Sequence, residues 1–211
     1  MSRLRFTAIT LLVFFQLSCS SSKISYSWRP ESSSGASFNK IMVVAMNGEK
    51  DASLRQKMEQ HLVGDLKALG YNAVSAMDEY GPKAFRDMTE DAVIAQMQDH
   101  QIDAVLTIVL LNKTRERRYV PDGIYYSPYS LYYRHFWGYY TTMYDRIYGP
   151  GYYTTDTRYF WESNLYDLSN KELLYTVQTQ SFDPPSSEKL AHEYGKLIVD
   201  DMMKKNILKK R

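Results

Sequence analysis

Two largely apolar runs, Ile41-Met42-Val43-Val44-Ala45-Met46 and Asp103-Ala104-Val105-Leu106-Thr107-Ile108-Val109-Leu110-Leu111, constrain this chain more than any other feature. Near-continuous apolarity of this kind is expected of strands covered on both faces, so the two runs should be central in a sheet. Between them Leu54, Met58, Leu62, Leu66 and Leu69 recur at helical spacing. Ser53 and Gln56 fit a capping box at the start of that helix, and Gly70 sits where it should stop. Residues 71–77 predict a short second strand and 78–82 a loop. A second helix is predicted over 89–100, with Ala92, Val93 and Met97 facing inward. The order β-α-β-α-β favours right-handed crossovers and parallel pairing in at least part of the sheet.

The second half changes character. Residues 152–167 and 171–182 are rich in β-branched and aromatic side chains and are joined through the polar Leu168-Ser169-Asn170-Lys171, which predicts a hairpin. Pro184-Pro185 ends the second strand, and Ser186 or Ser187 caps a final helix. Leu190, Tyr194, Leu197, Ile198 and Met202 form its inner stripe. The fold class predicted is α/β: a single domain over 38–208 with a mixed sheet, an aromatic insertion, a β-hairpin and a C-terminal helix. The 193 residues from 19 to 211 suit one domain better than two.

Ahead of the domain, Arg3 and Arg5 precede the mostly apolar 6–15, and Leu17-Ser18-Cys19 closes the run. This resembles a bacterial lipoprotein signal peptide over 1–18: a cationic n-region, an apolar stretch and a small residue before the cysteine. As a membrane-spanning helix the run is short, because a bilayer core needs about 20 apolar residues. The small-x-small site of an ordinary secretory signal is absent. Cys19 is the only cysteine in the chain, so it has no disulfide partner and suits lipidation by a diacylglyceryl thioether. Acyl chains such as palmitate contribute on the order of 0.8 kcal/mol per buried methylene, so several chains anchor firmly. Ser20 at the next position, rather than an aspartate, points by resemblance to the outer membrane. Residues 19–37, serine-rich with Pro30 and Gly35, read as a lipidated tether. Trp28 interrupts that reading, because an indole there should pack on the domain or sit at the membrane interface; burial of so large an apolar surface favours the domain.

Charge narrows the partners. The chain carries 26 Lys+Arg and 24 Asp+Glu, and removal of 1–18 takes away only Arg3 and Arg5, so the mature protein is formally neutral. Nucleic acid is not expected as a partner, since phosphate binding needs a cationic surplus on one face. The basic end at Lys204-Lys205 and Lys209-Lys210-Arg211 suits the dipole at the end of the last helix.

From Tyr119 to Tyr153 the chain holds 12 of its 19 tyrosines together with Phe136 and Trp137, interleaved with glycine and proline. Neither helical nor strand periodicity holds across this insertion. Tyrosine offers a flat apolar face with a polar tip, ordered at low entropic cost, and so suits adaptable recognition. Tyr125, Tyr126, Tyr129, Tyr132, Tyr133, Trp137, Tyr139 and Tyr140 are the candidate partner- or glycan-binding residues. The same segment also suits a loop folded over an open sheet edge, hiding it from other chains.

Catalytic signals are weak. His61, His100, His135 and His192 are scattered without metal-ligand spacing, and His192-Glu193 lacks the second histidine of a zinc protease helix, so it reads as a solvated helical face. Gly149-Pro150-Gly151 puts proline where a phosphate loop needs a backbone donor. No catalytic residue, metal or cofactor is assigned, and no enzyme is expected.

The signal, the first strand from Phe38 to Ala45 and the closing pattern Asn164-Leu165-Tyr166-Asp167-Leu168-Ser169-Asn170-Lys171-Glu172-Leu173-Leu174-Tyr175 resemble uncharacterised bacterial envelope lipoproteins. Their α/β domain is similar to the N-terminal domain of TolB and, more loosely, to CsgG. The resemblance implies a role in envelope assembly or scaffolding, with an envelope protein or a second copy of the chain as partner, and transfers no catalytic residue. A glycan- or peptidoglycan-binding module using stacked Tyr and Trp is the other reading of the same residues.

Overall fold

The computed structural model describes residues 21–31, 38–48, 51–83, 85, 87–121 and 151–211. The signal peptide, Cys19 and all eight candidate recognition residues between Tyr125 and Tyr140 lie outside the described residues. Among the described residues six strands form one mixed sheet: β1 (Ser22–Trp28), β2 (Lys40–Met46), β3 (Asn72–Ser75), β4 (Ala104–Pro121), β5 (Gly151–Asp167) and β6 (Leu173–Phe182), in the order β1-β6-β5-β4-β2-β3. The two apolar runs pair in parallel, Ile41 against Ala104 through Met46 against Val109, and β3 adds a parallel edge to β2. The other pairings are antiparallel. The α/β mixed-sheet layout expected from the sequence is the one observed.

Four helices are seen among the described residues: α1 (Ala52–Ala68), α2 (Ala76–Tyr80), α3 (Glu90–Asp99) and α4 (Ser187–Lys204). Leu54, Met58, Leu62 and Leu66 of α1 meet Leu190, Tyr194, Ile198 and Met202 of α4 over Ile41, Val43, Leu106, Ile108, Trp161, Leu165 and Val177. The opposite face of β2, β3 and β4 is covered through Ala76, Met97, Ile102 and their neighbours. Each fully buried Leu, Ile or Met side chain contributes about 1.5–3 kcal/mol, so these stripes fix both helix pairs on the sheet.

Several local expectations are corrected. Helix α1 starts at Ala52, with Asp51 rather than Ser53 as N-cap, and the Asp51 carboxylate makes no cap bond because it faces Lys113 at 3.3 Å. Strand β3 ends at Ser75 and not at Met77, because the Ser75 hydroxyl accepts from the Asp78 amide and turns the chain into α2. In α3 Met97 is buried and Val93 half-buried, while Ala92 is exposed. Strand β4 runs ten residues past Leu111. Gly70, at φ +92°, follows the end of α1 as expected. Arg211 folds back there, its amide donating to Leu69 O and its guanidinium lying 4.4 Å over Tyr71, instead of trailing from the last helix.

Part of the expected tether is a strand. Ser22–Trp28 pairs antiparallel with β6. Serines that suggest a solvated linker instead each find a partner: Ser22 Oγ with Ser181 Oγ, Ser25 Oγ with the Gln178 carbonyl, Ser27 Oγ with the Asp201 carboxylate. Asp201 also accepts from the Tyr175 hydroxyl, whose pKa burial pushes up. Trp28 is still 44% exposed, in register with Thr176 on the sheet.

Candidate functional site

Beyond Val109 strand β4 has lost its pairing to β2, and before Arg158 strand β5 has lost its pairing to β6. From Arg115↔Thr157 to Pro121↔Gly151 the two strands pair only with each other, over seven consecutive positions. At about 3.3 Å per residue this ribbon reaches roughly 20 Å past the sheet. It ends where the tyrosine-rich segment begins and resumes where that segment ends, so the ribbon is its stem.

Strand alternation divides the ribbon into two unlike faces. On one, Lys113, Arg115, Arg117 and Tyr119 lie opposite Tyr159, Thr157, Thr155 and Tyr153. Lys113 and Tyr159 stand at its base, where β5 still pairs with β6, and the ribbon itself carries Arg115, Arg117, Tyr119 and Tyr153, with no carboxylate among these pairs. Lys113 is 5.0 Å over the Tyr159 ring, Arg117 4.3 Å over the Tyr153 ring, and Tyr119 meets Tyr153 edge-on at 5.3 Å. Lys113 is held by Asp51, which leaves Arg115 and Arg117 as the exposed charges of the face. On the other face the charges are matched, Arg118 with Asp156 at 3.4 Å and Arg158 with Glu116 at 3.6 Å. Tyr152 and Tyr153 are each 59% exposed. Gly151 is required at the tip: a Cβ there would lie 2.5 Å from the Tyr119 ring, which covers the glycine.

The antiparallel pairings bring the start of β1, the end of β6 and the stem of the ribbon to one end of the sheet. The chain is locked there. The Ser21 amide and hydroxyl both donate to Glu193 on α4, and the Ser21 carbonyl accepts from the Phe182 amide. Burial pushes the Glu193 carboxyl up, but the Ser21 bonds and Lys189 outweigh it and leave the group below the usual carboxylate range. The expectation of a solvated face at His192-Glu193 therefore holds for His192 alone, since the Glu193 side chain is 9% exposed. Beside Ser21 a concavity of about 300 Å³ is lined by Lys23, Arg158, Phe160, Gln180 and Phe182, among others. A larger one, about 860 Å³, opens at the carboxyl end of β2, between Met46, Asn47, Arg55, Met77 and Phe85.

The histidines scattered in sequence are partly gathered in space. His61 on α1 meets His192 on α4 edge-on at 5.6 Å and bonds Glu188. Among the described residues no group of three or more His, Cys, Asp or Glu could hold a metal ion. The sequence reading missed Arg115, Arg117 and the Ser21–Glu193 lock. The alternation of cations at 113, 115 and 117 was the available signal for the first.

No family model matches the chain, and no curated protein matches it. Among solved structures it is similar to a single-residue variant of the PelC dodecamer from Paraburkholderia phytofirmans, at 12% identity over 88% of this chain and 99% of that one, TM-score 0.46. The PelC dodecamer in another crystal form gives 13% over 90% and 99%, TM-score 0.45. Lipoprotein GNA1162 from Neisseria meningitidis gives 16% over 78% and 98%, TM-score 0.43. Likeness of this extent carries neither the partners nor the assembly of those proteins over to this chain.

Proposed function

We propose that the chain is a lipid-anchored protein of the bacterial cell envelope, at the outer membrane, attached through Cys19. It acts in assembly or scaffolding without catalysis of its own, by presenting the β4–β5 ribbon and its tyrosine-rich segment to another envelope component. The observation that carries this reading is the ribbon itself. A two-stranded stem with one cationic, aromatic and carboxylate-free face stands clear of the sheet, and an exposed aromatic–arginine surface has the composition of interaction sites. The leader and lipidation site expected from the sequence supply the location.

In-cell photocrosslinking tests the reading, with a photoreactive phenylalanine analogue at Tyr153, Tyr132 or Trp137 in turn. A discrete adduct with another envelope protein, or with a second copy of the chain, is the expected result. Adducts of glycan or peptidoglycan fragments would replace it with the ligand-binding module. Crosslinks confined to the same chain's sheet would show that the insertion only covers an edge.

A further inference from the structure

The point at which the chain leaves the domain toward its anchor is fixed, and this fixes what the domain faces. Ser21 is held by three hydrogen bonds, two to Glu193 and one from the Phe182 amide. Cys19 precedes it by two residues, a span of at most about 7 Å. A cysteine carrying acyl chains must enter a bilayer within that distance, so lipid headgroups lie at the level of Ser21 and of the concavity beside it.

The lining of that concavity has the chemistry for them. Lys23 and Arg158 are cations, Phe160 and Phe182 are aromatic, and no carboxylate is among the described lining residues. Phe182 is 47% exposed with the Arg158 guanidinium 5.2 Å over its ring. The nearby acids are engaged elsewhere: Glu193 by Ser21, and Asp183 by the Thr157 amide. Arg158 does meet Glu116 at 3.6 Å, but both side chains are largely exposed, and such a pair exchanges its partner for a phosphate at little cost.

We infer that this concavity is a seat for phospholipid headgroups, with Lys23 and Arg158 taking the phosphodiester oxygens and Phe182 reaching into the membrane interface. The domain then rests directly on the bilayer that holds its anchor. The inference rests on the lipidation of Cys19.

Because a lipidated Cys19 has no free thiol, a cysteine introduced into the full-length protein is the only one that takes a label. An environment-sensitive fluorophore is placed in Phe182→Cys and, as a control at the opposite end of the sheet, in Asn170→Cys. Both proteins are reconstituted into vesicles of phosphatidylethanolamine and phosphatidylglycerol containing a headgroup-spin-labelled lipid. The probe at 182 should shift to the blue and be quenched severalfold more strongly than the probe at 170. K23Q/R158Q in the 182 background should lower the seated population by about 25-fold, at about fivefold for each cation near a membrane surface. Equal, water-like emission at both positions in protein that floats with the vesicles would overturn the seat alone. Protein that does not float would overturn the lipid anchor, and the seat with it.

Discussion

Glu59 lies inside the apolar stripe of α1, fully buried, and its carboxylate accepts from the Ala45 amide on β2, the Ser75 hydroxyl on β3, the Met77 amide in α2 and Arg55 Nε. One side chain thus satisfies donors from four elements. Removing it leaves buried donors unpaired and a partly buried guanidinium without its carboxylate, a cost of about 3–5 kcal/mol. Glu59→Ala should lower the melting temperature by roughly 10 °C, and Glu59→Gln, which keeps one acceptor oxygen, by clearly less; thermal circular dichroism distinguishes the two. A second acid, half-buried on the same helix, works in the opposite sense. Burial raises the Asp65 pKa above 3.8, with His192 and His61 opposing the shift, and Asp65 Oδ2 is buried with no hydrogen-bond partner. The folded chain holds that proton more tightly than the unfolded one, so stability falls as pH rises from 3.8 through the raised value and is lost above it. Asp65→Asn should therefore melt higher than the wild type at pH 7, with the gap closing below pH 3.8. An Asn variant less stable at pH 7 would contradict this. Neither role was legible in the sequence, where Glu59 and Asp65 look like ordinary polar positions of an amphipathic helix, because what each meets comes from other elements.

The strands and helices of the first half were legible because continuous apolar runs and 3.6-residue spacing both report burial, and burial there is simple. The ribbon was not. Residues 112–118 are polar on both faces and so show no hydrophobic alternation, yet the ten pairings of 112–121 to β5 hold the segment extended. Strand β1 failed for a related reason: its serines carry no apolar signal, and the Ser21–Glu193 and Ser27–Asp201 bonds that dock it join residues more than 170 positions apart. The ribbon's own weak point is Gly151. A Cβ there would stand 2.5 Å from the Tyr119 ring and 2.6 Å from the Val120 carbonyl, and the backbone oxygen cannot move away cheaply. Gly151→Ala should destabilise the ribbon locally by about 1–3 kcal/mol. Hydrogen exchange of the amides between 154 and 157 should then accelerate by about tenfold or more, while those of Trp161 to Leu165 in the sheet stay protected. Uniform acceleration in both segments would mean that ribbon and sheet open as one unit.

A run that resembles a leader ending in cysteine can be read in the sequence, but the end of the domain it would reach depends on strand order, which no local pattern encodes. The order β1-β6-β5-β4 places the first described residues, the Lys23–Arg158 concavity and the stem of the ribbon at one end. A domain seated there fixes where its ribbon lies relative to the bilayer, so that placement becomes part of how a partner is met. A flexible Gly/Ser linker of twenty residues inserted between Ser20 and Ser21 separates anchoring from seating. Its end-to-end distance is about 25 Å, enough to lift the concavity off the headgroups while the Ser21–Glu193 lock and the lipid are untouched. The elongated protein should still float with membranes, lose lipid quenching at position 182 and give weaker partner crosslinks from Tyr153. Unchanged crosslinking despite lost quenching would show that the ribbon finds its partner independently of the membrane seat, and the anchor would then serve only to keep the protein in the envelope.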